Sequence, residues 1–494
     1  MIIGSMGYAV VMMGAVVMLP LLVLPFYPHE AKYWWCFVVP GVISIAAGLL
    51  MSRLIKGKKL TRLRLNRDTV MVVLAWISAI FIGAVPFMLS GFYGFTHAIF
   101  ETTSGLSTTG FTVADVDSLP NIIIMYRSML HLVGGVGLIL IMSAVLSEVY
   151  GMKLYNAEGH MERLEPNLLH SARTILAIYA GYIVGGTVLY VIFGMPVFDA
   201  LNYSISAVAT GGFATSNEGI TEFGSTPIYL VSIVLMILGG TNFLINLFLI
   251  KGKLGRVINH CETKLVIGLF AVFVPVFTFI LLQGFTDSLP DAILHATFQL
   301  TTTYTTTGFC TTGFFVPQQA SAMFPMVMLM VIGAAAGSTA GGIKEYRASI
   351  VIKSILWHIR SKSTDKRSIR TDKISKFGKK EQLTYIDKEE SLVYLILHLF
   401  IVAVGSWIMT MCGYSFQDSL FDSASALGTI GLSSGITNGD THKVVLWVEI
   451  VEMLIARLEI YVIILSAVRL FGDAAEGVKL AAKKAKRVFS KSED

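Results

Sequence analysis

Four short segments combine Gly, Ser and Thr in a pattern suited to holding a bare cation. They are HAIFETTSGLSTTGF (His97 to Phe111), DALNYSISAVATGGF (Asp199 to Phe213), HATFQLTTTYTTTGF (His295 to Phe309) and DSLFDSASALGTIGL (Asp418 to Leu432). Aligned without gaps, they place a glycine at Gly110, Gly212, Gly308 and Gly431. A cation stripped of water must regain oxygen ligands, and backbone carbonyls supply them when they face a common axis. A strained, extended loop aims carbonyls that way, and glycine tolerates the φ values it requires. Small Ser and Thr neighbours leave the path wide and add hydroxyl oxygens. The coordinating residues expected from the alignment are Thr108, Thr109 and Gly110, then Thr210, Gly211 and Gly212, then Thr306, Thr307 and Gly308, and finally Thr429, Ile430 and Gly431. Small residues also serve close packing of membrane helices. One such segment alone would favour packing; four in register favour a filter.

The elements that must position these loops are legible on either side. An apolar stretch precedes each segment, at about 69–91, 173–194, 264–283 and 391–411. Another follows each, at about 122–147, 227–250, 323–356 and 443–469. The unit is span, short re-entrant helix, loop, span. Non-helical backbone at membrane depth is tolerated only inside protein or along a water-filled path. Four units around an axis meet that condition, and their short helices direct negative C-terminal ends at the path. The expected division is two leading spans with a basic loop (1–67), repeats at 68–171, 172–262, 263–388 and 389–472, and a basic tail (473–494). The fold class is therefore an all-α polytopic membrane protein, with two leading transmembrane helices and four pseudo-symmetric helix–pore loop–helix repeats around one ion pathway.

Composition agrees. The chain has 494 residues, 54% hydrophobic and only 14% charged, against roughly a quarter charged in soluble chains. Basic residues crowd three places: Arg53 to Arg67, Arg360 to Lys380, and Lys479 to Lys491. The other loops carry Asp115, Asp117, Glu218, Glu222 and Asp287. The positive-inside rule puts the basic segments and both termini in the cytoplasm. The first apolar stretch lacks a basic start and a small-residue cleavage site, so it reads as a span. Beside such spans the basic runs point to lipid or protein partners and to no nucleic acid. Cys36, Cys261, Cys310 and Cys412 are scattered, without the spacing of a zinc site or a disulfide framework.

A gate is expected below the filter. The third inner span is interrupted by GAAAGSTAGGIK, Gly333 to Lys344. Glycine there should unwind the helix, and Ser338, Thr339 and Lys344 are polar at membrane depth. The expected gate residues are Gly337, Ser338, Thr339, Gly341, Gly342 and Lys344, together with Arg457 in the last span. Only the third quadrant is expected to carry a broken span. Gly134–Gly135, Gly239–Gly240, Gly333–Ala334 and Ala456–Arg457 lie at similar distances past their filter glycines. One quadrant thus places a cation where three place small residues. Arg457 reads as an electrostatic barrier that also holds the loop, with Glu452, Glu449 or polar loop atoms as partners; a structural ion pair is the other reading. His131, His398, Asn242 and Asn246 read as interhelical hydrogen-bond donors. Glu101 either concentrates cations or holds its loop through backbone hydrogen bonds.

These motifs resemble the Trk/Ktr/HKT superfamily, most closely its TrkH/TrkG-type potassium-uptake subunits, over essentially the whole chain. STTGF and TTTGF resemble its filters, GSTAGGIKEYR (Gly337 to Arg347) its broken third span, and ARLEIY (Ala456 to Tyr461) its GRLEIF motif. Ala456, the alanine-rich third span and LGTIGL in the fourth filter depart from the usual pattern. The resemblance implies potassium selectivity, since Gly110 stands where sodium-leaning relatives carry serine. It implies potassium as substrate, a bacterial inner membrane location, a homodimer, and a cytoplasmic nucleotide-binding regulatory subunit of TrkA type. The basic loop at 360–380 and the tail are where such a subunit would dock; anionic lipid is the other candidate. No cofactor is expected in this chain. There is no Walker A, H-E-x-x-H or nucleophile-elbow sequence, so no enzyme is expected. The runner-up reading is a sodium/potassium-permeable or ion-coupled secondary transporter.

Overall fold

The structure, a computed structural model, describes residues 2–53, 67–137, 168–311, 320–363 and 372–470. The centre of the first basic loop, Lys366 to Arg370 and the tail fall outside these residues. Two apolar helices lead: α1 (Ile2–Met18) and α2 (Trp34–Arg53). Their backbones nearly touch, since a β-carbon on Gly7 would lie 2.5 Å from the carbonyl oxygen of Gly48. Close approach of this kind is what small residues permit in a membrane.

Four repeats follow, each a long outer helix, a short pore helix and an inner helix. The first is α3 (Arg67–Ser90), α4 (Phe95–Ser107) and α5 (Asn121–Val136). The second is α6 (Leu168–Ile192), α7 (Val197–Val208) and α8 (Thr226–Gly240), continued by α9 (Phe243–Ile250). A short helix, α10 (Leu254–Ile258), leads into the third: α11 (Cys261–Leu282), α12 (Leu289–Tyr304) and α13 (Ala320–Ile332), then α14 (Glu345–Lys362). The fourth is α15 (Tyr385–Met411), α16 (Phe416–Gly428) and α17 (Lys443–Leu458), continued by α18 (Ile460–Leu470). Among the described residues six helices are long and apolar enough to cross a membrane, seven if α8 and α9 form one bent span. The pore helices are too short for that, as their polar sequences require.

Among the described residues one element is not helical. Strands β1 (Lys373–Lys376) and β2 (Lys379–Gln382) pair antiparallel between α14 and α15. Phe377 and Gly378 make the two-residue turn, both at positive φ, as a tight hairpin demands.

A second difference concerns the inner helices. Breaks are not confined to the third quadrant. α8 and α9 meet at 117°, and α17 stops before Glu459 at φ 63°. Sequence reading found the third because it is glycine-rich. The second is bent by an Asn cap, with Asn242 Oδ1 accepting from the Leu244 N–H at 2.8 Å. What sets the third apart is length: residues 333–344 stay non-helical before α14 begins.

The apolar core forms sectors around the repeats. One gathers α1 to α5 with Trp76, Phe37, Phe87 and Tyr126. A second packs the second repeat, and a third joins the third and fourth. Side chains facing outward, such as Phe279, Ile396 and Phe400, are exposed and apolar, suited to lipid contact.

Candidate ion-binding site and gate

The four filter segments leave their pore helices in the same way. Thr108, Thr210, Thr306 and Thr429 all adopt left-handed backbone, with φ of 57°, 51°, 58° and 54°. The following residue donates its N–H to the carbonyl five residues back: Thr109 to Ser104, Gly211 to Ser206, Thr307 to Thr302 and Ile430 to Ser425, at 2.8–2.9 Å. The threonine N–H groups themselves bond three residues back. This is a Schellman cap, whose left-handed position is usually glycine. Here it is threonine four times. Alignment puts these threonines in one column, but it carries no sign of their backbone state.

Beyond each cap the filter glycine again has positive φ, between 80° and 93°. The four segments then close into a ring. A β-carbon on Gly110 would lie 2.2 Å from the Gly211 carbonyl oxygen, and one on Gly212 equally close to that of Thr307. One on Gly308 would lie 1.9 Å from that of Ile430, and one on Gly431 2.1 Å from that of Thr109. The chain order of the repeats is thus their order around the ring, and no side chain fits at any of the four positions. All twelve residues expected at the filter are brought together here. Phe111, Phe213, Phe309 and Leu432 follow the glycines and are buried.

Carboxylates brace the chain just past two of the filters. Glu101 on α4 accepts from the Thr112 hydroxyl at 3.0 Å and the Val113 N–H at 3.3 Å. Asp422, its counterpart on α16, accepts from the Ser433 hydroxyl at 2.6 Å and the Ser434 N–H at 2.7 Å. Of the two readings of Glu101, these bonds favour the one that holds the loop. Arg127, buried in α5, donates from Nε to Glu101 at 2.8 Å. Sequence reading passed over Arg127. The available signal was a charge inside an apolar stretch, the same signal that singled out Arg457.

The loop 333–344 reaches all four caps. The hydroxyl of Thr339 lies 2.9 Å from that of Thr210, and its carbonyl oxygen 3.4 Å from the Thr108 hydroxyl. The Gly341 N–H donates to Thr306 Oγ1 at 3.1 Å. A β-carbon on Gly341 would lie 2.2 Å from Thr429 Oγ1. The loop's own ends are tied: Ile343 N–H to Val331, Lys344 N–H to Ile332 and Glu345 N–H to Ala334. Ser338 donates to the Ala335 carbonyl at 2.7 Å, and Lys344 Nζ to that of Ala340. Gly333 and Gly342 touch, so neither admits a side chain.

Arg457 completes this layer. One guanidinium nitrogen donates to the Thr339 carbonyl at 2.9 Å, and the other to the Gly134 carbonyl. Of the expected partners, the polar loop atoms are the ones observed. Glu449 instead accepts from Thr437, Glu452 from Ser423, and Glu459 pairs with Arg347 at 2.8 Å. Asn242 and Asn246 donate as expected, to the carbonyls of Ala336 and Leu238. His131 does not: neither ring nitrogen has a partner among the described residues. Its ring stacks on Phe213 at 4.1 Å.

A chain of bonds leads from the loop to the β-hairpin. The Ala336 N–H donates to Glu262 Oε1 at 3.0 Å, and Glu262 Oε2 lies 3.0 Å from His260 Nε2. The Phe377 N–H donates to His260 Nδ1 at 3.1 Å. Because Nδ1 must accept, the ring proton belongs on Nε2, aimed at Glu262.

Comparison with known proteins gives consistent results. The TrkH family model, described as cation transport protein, matches residues 37–475. An uncharacterized cation transporter of Methanocaldococcus jannaschii is 30% identical, with 93% of each chain covered. The Trk system potassium uptake protein TrkH of Salmonella typhimurium is 29% identical, over 93% of this chain and 96% of its own. The crystal structure of the potassium transporter TrkH from Vibrio parahaemolyticus superposes with a TM-score of 0.80 at 25% identity, over 94% of this chain and 97% of that one.

Proposed function

The chain belongs to the TrkH family of cation transport proteins, and from that premise we propose that it takes up potassium across a bacterial inner membrane. The ion passes through the ring formed by Thr108–Gly110, Thr210–Gly212, Thr306–Gly308 and Thr429–Gly431, with backbone carbonyls replacing its water. The single observation that carries this reading is the closed ring of four glycines, each seated against a carbonyl of the next quadrant. Gly337, Ser338, Thr339, Gly341, Gly342 and Lys344 form the gate directly below, tied down by Arg457. The guanidinium adds a positive barrier where a cation would otherwise leave. Relatives named for potassium uptake support the choice of ion.

The protein works as a homodimer with both termini cytoplasmic. A nucleotide-binding regulatory subunit of TrkA type docks on the basic cytoplasmic face. The test is growth of potassium-uptake-deficient cells at low potassium, with rubidium uptake as the direct readout. The wild-type chain restores both. Gly110→Ser admits sodium, because its β-carbon forces the first and second quadrants apart at the 2.2 Å contact. No rescue by the wild type, or unaltered sodium exclusion in Gly110→Ser, overturns the proposal.

A further inference from the structure

We infer that Glu101 and Arg127 are specificity-determining positioning residues, a clamp that fixes the first and second filter quadrants against each other. The inference rests on the filter reading above. Glu101 is 0% exposed and Arg127 1%, so both ions have left water, which is costly unless their partners are fully supplied. Glu101 is spent on the first quadrant, through Thr112 and Val113 just past Gly110. Arg127 is spent on the second. Its guanidinium donates to the Ala214 carbonyl at 3.2 Å and lies 4.0 Å from the centre of the Phe213 ring. Ala214 and Phe213 directly follow Gly212. The 2.8 Å ion pair therefore links the segment past one filter glycine to the segment past the next.

His131 extends the clamp. It lies one turn below Arg127 on α5, so both reach the same face. Its ring stacks on Phe213 at 4.1 Å and 17°. A β-carbon on Gly211 would lie 2.5 Å from that ring. The inner helix of the first repeat thus supports the second filter at Gly211, Phe213 and Ala214 together.

No other quadrant repeats the arrangement. With the inner helices aligned on Gly134, Gly239, Gly333 and Ala456, the counterparts of Arg127 are Ser232, Met326 and Glu449. Those of Glu101 are Tyr203, Gln299 and Asp422. The fourth quadrant keeps the carboxylate brace but places Glu449 where the first has its arginine. Whether selectivity comes from cage size or from the number of ligands held at the ion, the carbonyls must resist closing on a smaller cation. A rigid tie between two adjacent quadrants supplies that resistance at the 1–2 boundary.

The experiment uses full-length protein in liposomes, with rubidium uptake measured against competing sodium and potassium. Glu101→Leu combined with Arg127→Met replaces the pair by apolar residues, a change buried ion pairs often survive. Discrimination against sodium is expected to fall roughly tenfold, in line with the loss of hydrogen bonds to charged groups. Glu101→Gln, which keeps the shape but removes the charge and turns one of the two accepting oxygens into a donor, is expected to fall in the same direction. Arg127→Lys keeps the charge but not the flat stacking on Phe213, and it recovers only part of the loss. The clamp is overturned if the double variant, or Glu101→Gln should the double variant not assemble, is as selective as wild type. A change in melting temperature alone also overturns it, because that marks a purely structural pair. Gly110→Ser is run alongside: if it shifts selectivity while the clamp variants do not, the clamp fails and the filter reading stands.

Discussion

Threonine is an uncomfortable residue for a left-handed cap. The conformation costs an L-residue with a β-carbon about 1–2 kcal/mol, yet this chain accepts it at Thr108, Thr210, Thr306 and Thr429. Glycine would relieve the backbone but would remove the hydroxyl. Three of these side chains meet atoms of Thr339 or Gly341 as donor, acceptor or close neighbour, and the fourth crowds Gly341. The hydroxyls are therefore the surface on which the intramembrane loop rests. Arg457 holds that loop from the other side. Arg457→Ala is expected to raise cation flux through reconstituted protein on the order of tenfold, the effect of losing a charge-assisted hydrogen bond. Unchanged or lower flux would count against the barrier. Arg457→Lys separates the two contributions. A lysine keeps the charge but lacks the fork that spans two carbonyls, so flux like that of alanine assigns the effect to the tie.

At the scale of elements, the loop and the β-hairpin behave as one unit. Glu262 receives the Ala336 N–H, His260 sits between Glu262 and the hairpin tip, and Phe377 stacks on that imidazole at 4.7 Å. Displacing the hairpin removes the Phe377 N–H donor at one end of this line and loosens the loop at the other. His260→Ala is expected to raise flux by about fivefold, the scale of one neutral hydrogen bond. Phe377→Ala keeps its backbone N–H and should do less. Equal flux in wild type and His260→Ala would disconnect hairpin from loop. Within the loop, Gly341→Ala cannot keep its place, because its β-carbon would lie 2.2 Å from Thr429 Oγ1. It should raise flux in the same assay, and a closed pathway in that variant would remove the loop from the gate.

Legibility in the sequence follows what each feature depends on. Outer spans and pore helices were readable because apolar length and polar interruption are local properties. The filter glycines were readable because four copies aligned. The gate loop was readable because glycine unwinds a helix in any context. The bend at Thr241–Asn242 and the break at Glu459 were not, since one is a side-chain cap and the other a single positive φ in an ordinary sequence. Of the Arg457 partners, the loop carbonyl of Thr339 is among those expected from the sequence. The Gly134 carbonyl is not, because it comes from another quadrant and a backbone acceptor leaves no mark in the sequence.

Taken as a whole, the molecule has fourfold regularity at one level and loses it at the next. At the filter each quadrant makes the same contact with its neighbour, at 1.9–2.2 Å from a hypothetical β-carbon. Below it the equivalent places hold Gly135 against Ala209, Gly240 against Thr305, Ala334 accepting from the Glu345 N–H, and Arg457 against two carbonyls. Mutational response should divide along the same line. Alanine at Gly110, Gly212, Gly308 or Gly431 is expected to lower potassium-selective uptake to a similar degree, because a ring loses its selectivity wherever it is opened. At the lower level the responses should differ in sign. Gly135→Ala and Gly240→Ala crowd a helix against the next pore helix and should lower uptake through reduced assembly, while Arg457→Ala should raise it. Rubidium uptake normalised to protein in the membrane distinguishes the two patterns. Unequal losses among the four filter glycines would mean that the quadrants do not share one ion path, and equal losses at both levels would mean that the asymmetry below the filter has no part in gating.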